Sequence, residues 1–600
     1  MATMTPPAPT AARIAGGAFL ITNPSPASCF FPEDFSEEHR QIAQTTSDFA
    51  TKSIVPNSEA IERKDFAVIK RLLREAADLG LTAADIPEEY GGLELDKASA
   101  AIIAENISKQ GSFSVSFSAH TGIGTMPLVW YGTEAQKKKY LPGIADGSIV
   151  SAYALSESSS GSDAVNARTR AVLSEDGTTY TIDGEKMWIS NGGFADLYTV
   201  FARCLVTEGK DAGKEKLTAF LIERGTPGFT NGKEEHKLGI RGSSTTPLIL
   251  TDCKIPAANL LGEVGKGHSI AFNILNVGRY KLGNAAVGGS KMAFNNGLRY
   301  AKERIAFGKS ISEFGLIQEK LANMATGIFI SEAVCYRTVG LVDAALVGVA
   351  KTDTAEIQKR IEDYAVECSI VKVCASEILD MVVDESLQIF GGYGYVEDFP
   401  AERAYRDARI NRIFEGTNEI NRLIITGWLM KSGMSGKLAL MPAIERAMQE
   451  AASGKEEQNV YVGALAAEYD LLAAAKKLTL FCAGAATQKY MQQISEEQEI
   501  MGTLADMIIA VFAMESGILR ADKLGAESTT AVAMAKVYAS QAMETIGRSA
   551  RTVIAAVAAG KHSTVQFEVV HRLTRFDPAD TVALRRQIAK HVIEAGKYTF

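Results

Sequence analysis

Between Asn411 and Ile420 the chain reads NRIFEGTNEI, which sets the carboxylate of Glu415 between the bulky apolar Phe414 and the permissive Gly416, with no cation beside it in sequence. A carboxylate drawn into apolar surroundings loses hydration, so its pKa rises and it becomes a candidate general base near neutral pH. The same residues also read as a helix start, because Thr417 and Asn418 are good N-cap types and acidic side chains are favoured there. Four other stretches carry residue types suited to holding a cofactor. YALSESSSGSDA from Tyr153 gathers hydroxyls around a glycine, as a loop meeting a carbonyl-rich ring or phosphate, or as a solvated turn. KMWISNGG from Lys186 places Trp188 in a strand ahead of a tight Asn-Gly turn, as a cofactor wall or as core. QIFGGYGY from Gln388 is glycine-rich but is neither GxGxxG nor a Walker loop, and RIAFGK from Arg304 sets a cation near an aromatic at a helix end, ordinarily a surface feature.

Helices must position Glu415. From about residue 36 to 150 apolar residues recur at helical spacing, as in EEHRQIAQTTSDFATKSI and DFAVIKRLLREAADLGL, the latter with an acidic start and a glycine stop. From 151 to about 262, segments such as TTYTI, LYTVFARCLV and TPLILTDCKI are β-branched and aromatic, separated by EDGT, DGEK and GTPG turns. Helical periodicity returns over 263–435 and continues through 436–600. The expected fold class is therefore mainly α with a β domain between helical ones. An internal echo joins the last two regions. LANMATGIFISEAVCYR from Leu321 and LADMIIAVFAMESGILR from Leu504 share Leu, Ala, Met, Phe, Glu and Arg at matching offsets, and KVCAS at Lys372 is repeated as KVYAS at Lys536. Two matches in the same order predict a duplicated helical bundle whose second copy, lacking an IFEGTNEI counterpart, packs without repeating the chemistry. Residues 1–35 are expected to be a mobile Pro/Ala tail, and a secretory signal fits them poorly, whereas a short organellar transit segment stays open.

The 600 residues exceed what one core supports, leaving interior for a large cofactor or an acyl chain. A net charge of -8, with no basic run longer than KKK, argues against nucleic acid as the main partner. Seven scattered cysteines never spaced as CxxC read as reduced core residues of a cytosolic protein, and the scattered histidines predict no metal site. Demanding chemistry then requires an organic cofactor. No apolar run reaches the roughly 18 residues of a membrane span.

The ordered set ESSSGSD, KMWISNGG, KLGIRGS, RIAFGK, QIFGGYGY, RDARI and IFEGTNEINR, over roughly residues 36 to 435, closely resembles the acyl-CoA dehydrogenase family of flavoproteins, and the long helical tail is most similar to the very-long-chain branch. The resemblance implies a helical bundle, a β-barrel or sandwich, a four-helix bundle and an extra C-terminal helical domain, with FAD between the β domain and the second bundle. By position, Ser156, Ser162, Trp188 and Ser190 would line the flavin ring, Arg304 and Phe307 would reach FAD across a subunit interface, and Gln388, Gly391 and Gly392 would hold its adenine half, with Thr417 and Glu419 completing the site. Ser158 stands where the family usually has proline, so the loop is expected to be less rigid.

Glu415 falls on the family's catalytic base, implied to take the pro-R α-proton of an acyl-CoA while the β-hydride passes to flavin N5 and the Glu N–H helps bind the thioester carbonyl. Some members carry the base at a position that is Gly278 here, where no base is available. Ser162, Asn276 and Arg279 match substrate-contacting positions, a helix-surface ion pair being the plain alternative for Arg279. The resemblance implies fatty acid β-oxidation of long acyl-CoA to trans-2-enoyl-CoA, electron-transfer flavoprotein as acceptor, and a homodimer because the extra bundle covers the tetramer surface. An acyl-CoA oxidase and a scaffold member are the alternatives. Cytoplasmic localisation is expected, mitochondrial in a eukaryote, and peripheral membrane contact through the amphipathic GKLALMPAIERAMQEAASGK stays open.

Overall fold

The computed structural model describes residues 14–453, 461–558 and 561–600. The first helical region contains Glu37–Phe49, Phe66–Asp78, Lys97–Ile107, Gly111–Ser118, Met126–Tyr131 and Glu134–Ala145. Local sequence explains their starts. Asp65 caps Phe66–Asp78 by accepting from the Ala67 and Val68 N–H groups, and Ile69, Leu72, Leu73 and Ala76 then form one buried stripe at helical spacing. Asp96 likewise caps Lys97–Ile107 through the Ser99 N–H.

The β domain has eight strands: β1 (Ser151–Ala154), β2 (Arg170–Leu173), β3 (Thr179–Ser190), β4 (Leu197–Leu205), β5 (Glu215–Glu223), β6 (Phe229–Asn231), β7 (Thr245–Pro256) and β8 (Leu260–Leu261). Their order is β6-β7-β3-β2-β4-β5-β8, with β1 added parallel beside β4. The β3–β7 ladder breaks between Lys186 and Ile189. The reason lies opposite, where Pro247 sits between Thr246 and Leu248 and has no N–H to donate. The freed Met187 N–H turns instead to the Ser156 carbonyl at 2.9 Å, stitching the Ser-rich loop to β3.

Eight helices of 15 residues or more dominate the remainder, with shorter ones between them. The first four are α1 (Gly267–Glu303), α2 (Gly315–Leu346), α3 (Ala365–Phe390) and α4 (Asn418–Met434); the second four are α5 (Ala466–Tyr490), α6 (Gln498–Leu524), α7 (Thr529–Val557) and α8 (Thr581–Ala595). The echoed residues on α2 and α6 meet across the junction of the two sets. Arg337 bonds Glu515 at 2.6 Å and Arg520 bonds Glu332 at 2.6 Å, so each copy's arginine takes the other copy's glutamate. Each guanidinium also lies over the other copy's phenylalanine, Arg337 over Phe512 at 4.5 Å and Arg520 over Phe329 at 4.4 Å. Lys291 and Lys476 complete the two sets by pairing with Glu332 and Glu515 from the first helix of each bundle. Arg422 of α4 bonds Asp506 of α6 and Arg585 of α8 bonds Asn323 of α2, at equivalent offsets of the echo. This reciprocity supports duplication with the copies related by an approximate two-fold axis.

Two sequence expectations need correction. Residues 14–35 are not a free tail, while residues 1–13 lie outside the described residues. Phe19, Leu20 and Phe31 are buried, Phe19 packs 4.7 Å from Phe512, the Gly17 N–H donates to Glu367 at 2.6 Å, and Lys476 donates to the Thr22 carbonyl at 2.7 Å. The strap lies over both bundles and has no helical periodicity to betray it. Secondly, α2 and α6 are long and apolar enough to cross a membrane, and both are mostly buried inside the protein, as expected of helices at the junction of two bundles. The amphipathic helix Leu440–Ser453 turns Leu440, Ile444, Ala447 and Ala451 into the core.

Candidate active site

Glu415 lies in the turn that enters α4, with φ +59°, and Gly416 follows at +79°. Two successive left-handed residues carry the chain around the carboxylate, and for a glutamate that conformation costs on the order of 1–2 kcal/mol. The turn is tied down from several sides. Thr417 caps α4 by accepting from the Ile420 N–H at 3.3 Å, so the helix-start reading holds alongside the chemical one. The Asn421 amide donates to the Gly416 and Thr417 carbonyls at 2.8 and 3.0 Å and to the Glu415 carbonyl at 3.4 Å.

The residue as a whole is half-buried, and its Oε2 is turned into the interior. A β-carbon on Gly278 would stand 2.5 Å from Glu415 Oε2, so this glycine of α1 is the floor on which the carboxylate rests. Oε2 is buried without a hydrogen-bond partner. Burial lifts the carboxyl to about 7, against the opposing pull of Arg279 and Lys372. Arg279 is itself buried rather than on a helix surface; its Nη1 donates to Asn276 Oδ1 at 2.9 Å and its Nε to the Glu415 carbonyl at 3.4 Å. Cations do therefore flank Glu415, supplied by α1 and α3 rather than by sequence neighbours. Tyr153 on β1 keeps a buried hydroxyl without a partner, and its phenol is pushed well up by burial and then by Glu415. The Glu415 N–H donates to nothing among the described residues. A dry carboxylate, an open N–H and an orphaned phenol thus border one region, which suits proton abstraction beside a polarised carbonyl.

On the β side, the Ser-rich loop is anchored at its root. Glu157 forms a buried ion pair with Lys186 at 2.7 Å and accepts from the Arg168 and Thr169 N–H groups, while the Ser158 hydroxyl meets Glu185. These bonds replace the restraint expected of the missing proline. Ser162 is exposed at the loop tip, and Ser156 and Ser190 are half-buried. Trp188 is not core: at φ +59° on the bulge opposite Pro247 it is 57 % exposed, free to wall a ligand.

Arg304, Gly391 and Gly392 come together in an open groove of ≈ 520 Å³ that includes Tyr300 and Tyr393. Arg304 follows α1 and lies 5.8 Å from the Tyr393 ring, and Phe307 projects from the next turn at φ +52°, 95 % exposed. Gly391 and Gly392 face open space, and Gln388 is exposed on the last turn of α3. This group is remote from Glu415: Lys372 in the first half of α3 and Phe390 at its C-terminal end lie roughly 27 Å apart at 1.5 Å per residue. Glu419 is exposed in the first turn of α4, where its own backbone N–H and the Thr417 side chain hold its carboxyl below the usual range.

Sequence reasoning missed Lys372, Asn421 and Tyr153 as neighbours of the base. A lysine in the apolar run SIVKVCAS was the available signal, since a charge on a core face needs a partner.

Fold and site together define an enzyme built of two helical regions around a β domain, with a carboxylate whose Oε2 is buried where a helical bundle meets that domain. The chain belongs to the acyl-CoA dehydrogenase family. Models of its N-terminal, middle and C-terminal domains match residues 36–148, 152–253 and 265–430, and a further acyl-CoA dehydrogenase C-terminal domain matches 474–572. A probable acyl-CoA dehydrogenase of Bacillus subtilis is 44% identical over 592 residues, covering 97% of this chain and 98% of the relative. The mitochondrial very long-chain specific acyl-CoA dehydrogenase of Macaca fascicularis is 40% identical over 355 residues, 59% of this chain and 52% of the relative. A crystal structure of an acyl-CoA dehydrogenase complexed with FAD from Bacillus anthracis superposes with a TM-score of 0.94 at 43% identity, over 98% of this chain and 100% of that one.

Proposed function

We propose that the protein is a FAD-dependent acyl-CoA dehydrogenase that converts fatty acyl-CoA, preferentially of long chain, to trans-2-enoyl-CoA in β-oxidation. The single observation that carries the proposal is Glu415: a carboxylate raised to about 7, dry at Oε2, resting on Gly278 and held by a turn whose N–H is open. The residues present fit the cofactor. Trp188 on its bulge and the hydroxyls of Ser156, Ser162 and Ser190 offer a wall and donors for a flavin ring, and Gly391 and Gly392 offer unobstructed backbone beside Arg304 for the adenine half. The length of α3 between Lys372, beside the Glu415 turn, and Phe390, beside Gly391, roughly 27 Å at 1.5 Å per residue, supports a homodimer in which each subunit supplies the Gly391 group to its partner's cofactor.

Bound FAD supplies the two-electron acceptor for the β-hydride, which is why a carboxylate suffices as the protein's share of the redox step. Glu415 Oε2 takes the α-proton, and burial gives it the proton affinity for that task at neutral pH. Its N–H donates to the thioester carbonyl oxygen, where negative charge grows, while Arg279 and Asn421 hold the Glu415 carbonyl so that the N–H keeps its aim. Gly278 makes room for the carboxylate, and the apolar surroundings exclude water that would solvate it. Long-chain preference and electron-transfer flavoprotein as the onward acceptor rest on the resemblance to the very-long-chain branch.

Saturated acyl-CoAs of increasing length, added anaerobically to the purified holoenzyme, are expected to bleach the flavin absorbance and to leave it bleached when air is admitted. Rapid reoxidation with peroxide formation means an oxidase, and no bleaching with any chain length removes the enzymatic reading.

A further inference from the structure

We infer that Lys372 is a positioning residue for Glu415: its ammonium fastens the turn that carries the carboxylate and tunes how readily that carboxylate holds a proton. The inference rests on the reading of Glu415 as base but concerns a residue that reading does not use. Lys372 is fully buried in the middle of the first half of α3. A buried ammonium is normally paired with a carboxylate. Lys372 instead donates to the Gly416 carbonyl at 2.8 Å and to Asn418 Oδ1 at 2.6 Å, one residue and three residues beyond the base. Asn418 in turn donates to Ser376 and Glu377, so the ammonium is the hub that joins the turn to α3.

The duplicated bundle supplies an internal control. There the equivalent lysine, Lys536, faces the carboxylate of Glu468 at 3.9 Å. In the first bundle α1 offers no such partner and instead presents Gly283, Gly278 and Arg279 along its buried face. Of the carboxylates around Lys372, Glu377 and Glu419 are engaged by Arg422 and by the first turn of α4; burial pulls the ammonium down to about 7, and Glu415 is the charge that opposes this most. The groups facing Glu415 are Arg279 from α1, Lys372 from α3 and the Tyr153 phenol from β1. Lys372 holds the Gly416 peptide, Arg279 the Glu415 carbonyl, and the two cations act in the same direction on the carboxyl, favouring its ionised form.

The infrared carbonyl band of protonated Glu415, assigned as the band missing from Glu415→Gln, reports the carboxyl directly without turnover. In Lys372→Met its titration midpoint is expected to move up by about one pH unit, as for loss of a nearby opposite charge. The acid limb of acyl-CoA oxidation moves with it, leaving the variant about tenfold slower below pH 7 and close to wild type at pH 9. Lys372→Arg, which keeps the charge, is expected to restore the midpoint. An unmoved midpoint with a rate loss equal at every pH means a merely structural lysine and overturns the inference. If Lys372→Met does not accumulate as a folded flavoprotein, the reciprocal measurement decides: Glu415→Gln must lower the pH at which the ¹⁵N-labelled Lys372 amine loses its proton, and an unchanged value overturns the inference equally. A shifted band in a protein whose Glu415→Gln variant retains activity would leave Lys372 coupled to Glu415 and remove the base assignment instead.

Discussion

Glu415 could be singled out from the sequence because its type, its apolar neighbour and the glycine after it are local facts. Its electrostatic setting could not, since Arg279 and Lys372 arrive from helices 136 and 43 residues away. Trp188 was similarly ambiguous until the missing N–H of Pro247 on the opposite strand put it on a bulge. Two expectations belong to this carboxylate. Glu415→Gln, which keeps shape and loses the base, should slow anaerobic flavin bleaching by roughly two to four orders of magnitude while acyl-CoA still binds. The second concerns stability. The native carboxyl holds its proton to about 7, whereas the unfolded one releases it near 4.5, so native stability falls as pH rises between those values. The same variant should therefore melt higher than wild type at pH 8, by on the order of 1–3 kcal/mol, and level with it at pH 4. A difference that is the same at both pH values would mean that the carboxyl is not raised in the native state.

At the scale of elements, helix–β–helix alternation was legible because periodicity and turn chemistry change together near residues 151 and 262. What periodicity does not encode is which small residue lets two elements approach. Gly278 is such a residue, and only the packed structure shows that its missing β-carbon is the space occupied by Glu415. Gly278→Ala should push the carboxylate off its floor and lower kcat roughly a hundredfold, the effect of a misplacement near 1 Å, with flavin content and melting temperature little changed. Loss of flavin or of fold would show instead that the glycine serves packing alone.

Over the whole molecule a repeated helical pattern was visible in two short echoes, yet the use made of the echoed residues was not, because each arginine is answered from the other set of helices. Arg520 is fully buried, and Arg520→Met leaves Glu332 with less compensation in the core, an expected cost of about 3–5 kcal/mol in urea unfolding. The pair of changes Arg520→Met and Glu332→Leu should cost less than the sum of the single ones, and strict additivity would mean that the two do not interact. The strap of residues 14–35 was misread because irregular chain with scattered aromatics has no period to detect; Phe19, Phe30, Phe31 and Phe35 were its signals. Deleting the chain through Phe35 should lower the melting temperature and expose apolar surface to a hydrophobic dye, whereas an unchanged melt would show that the strap is not stabilising.

Because both partners of the crossed Arg–Glu exchange are parts of one polypeptide, dilution has no hold on that contact. Its effective concentration is fixed by the covalent link, so the junction should persist at enzyme levels where a contact between separate subunits would come apart.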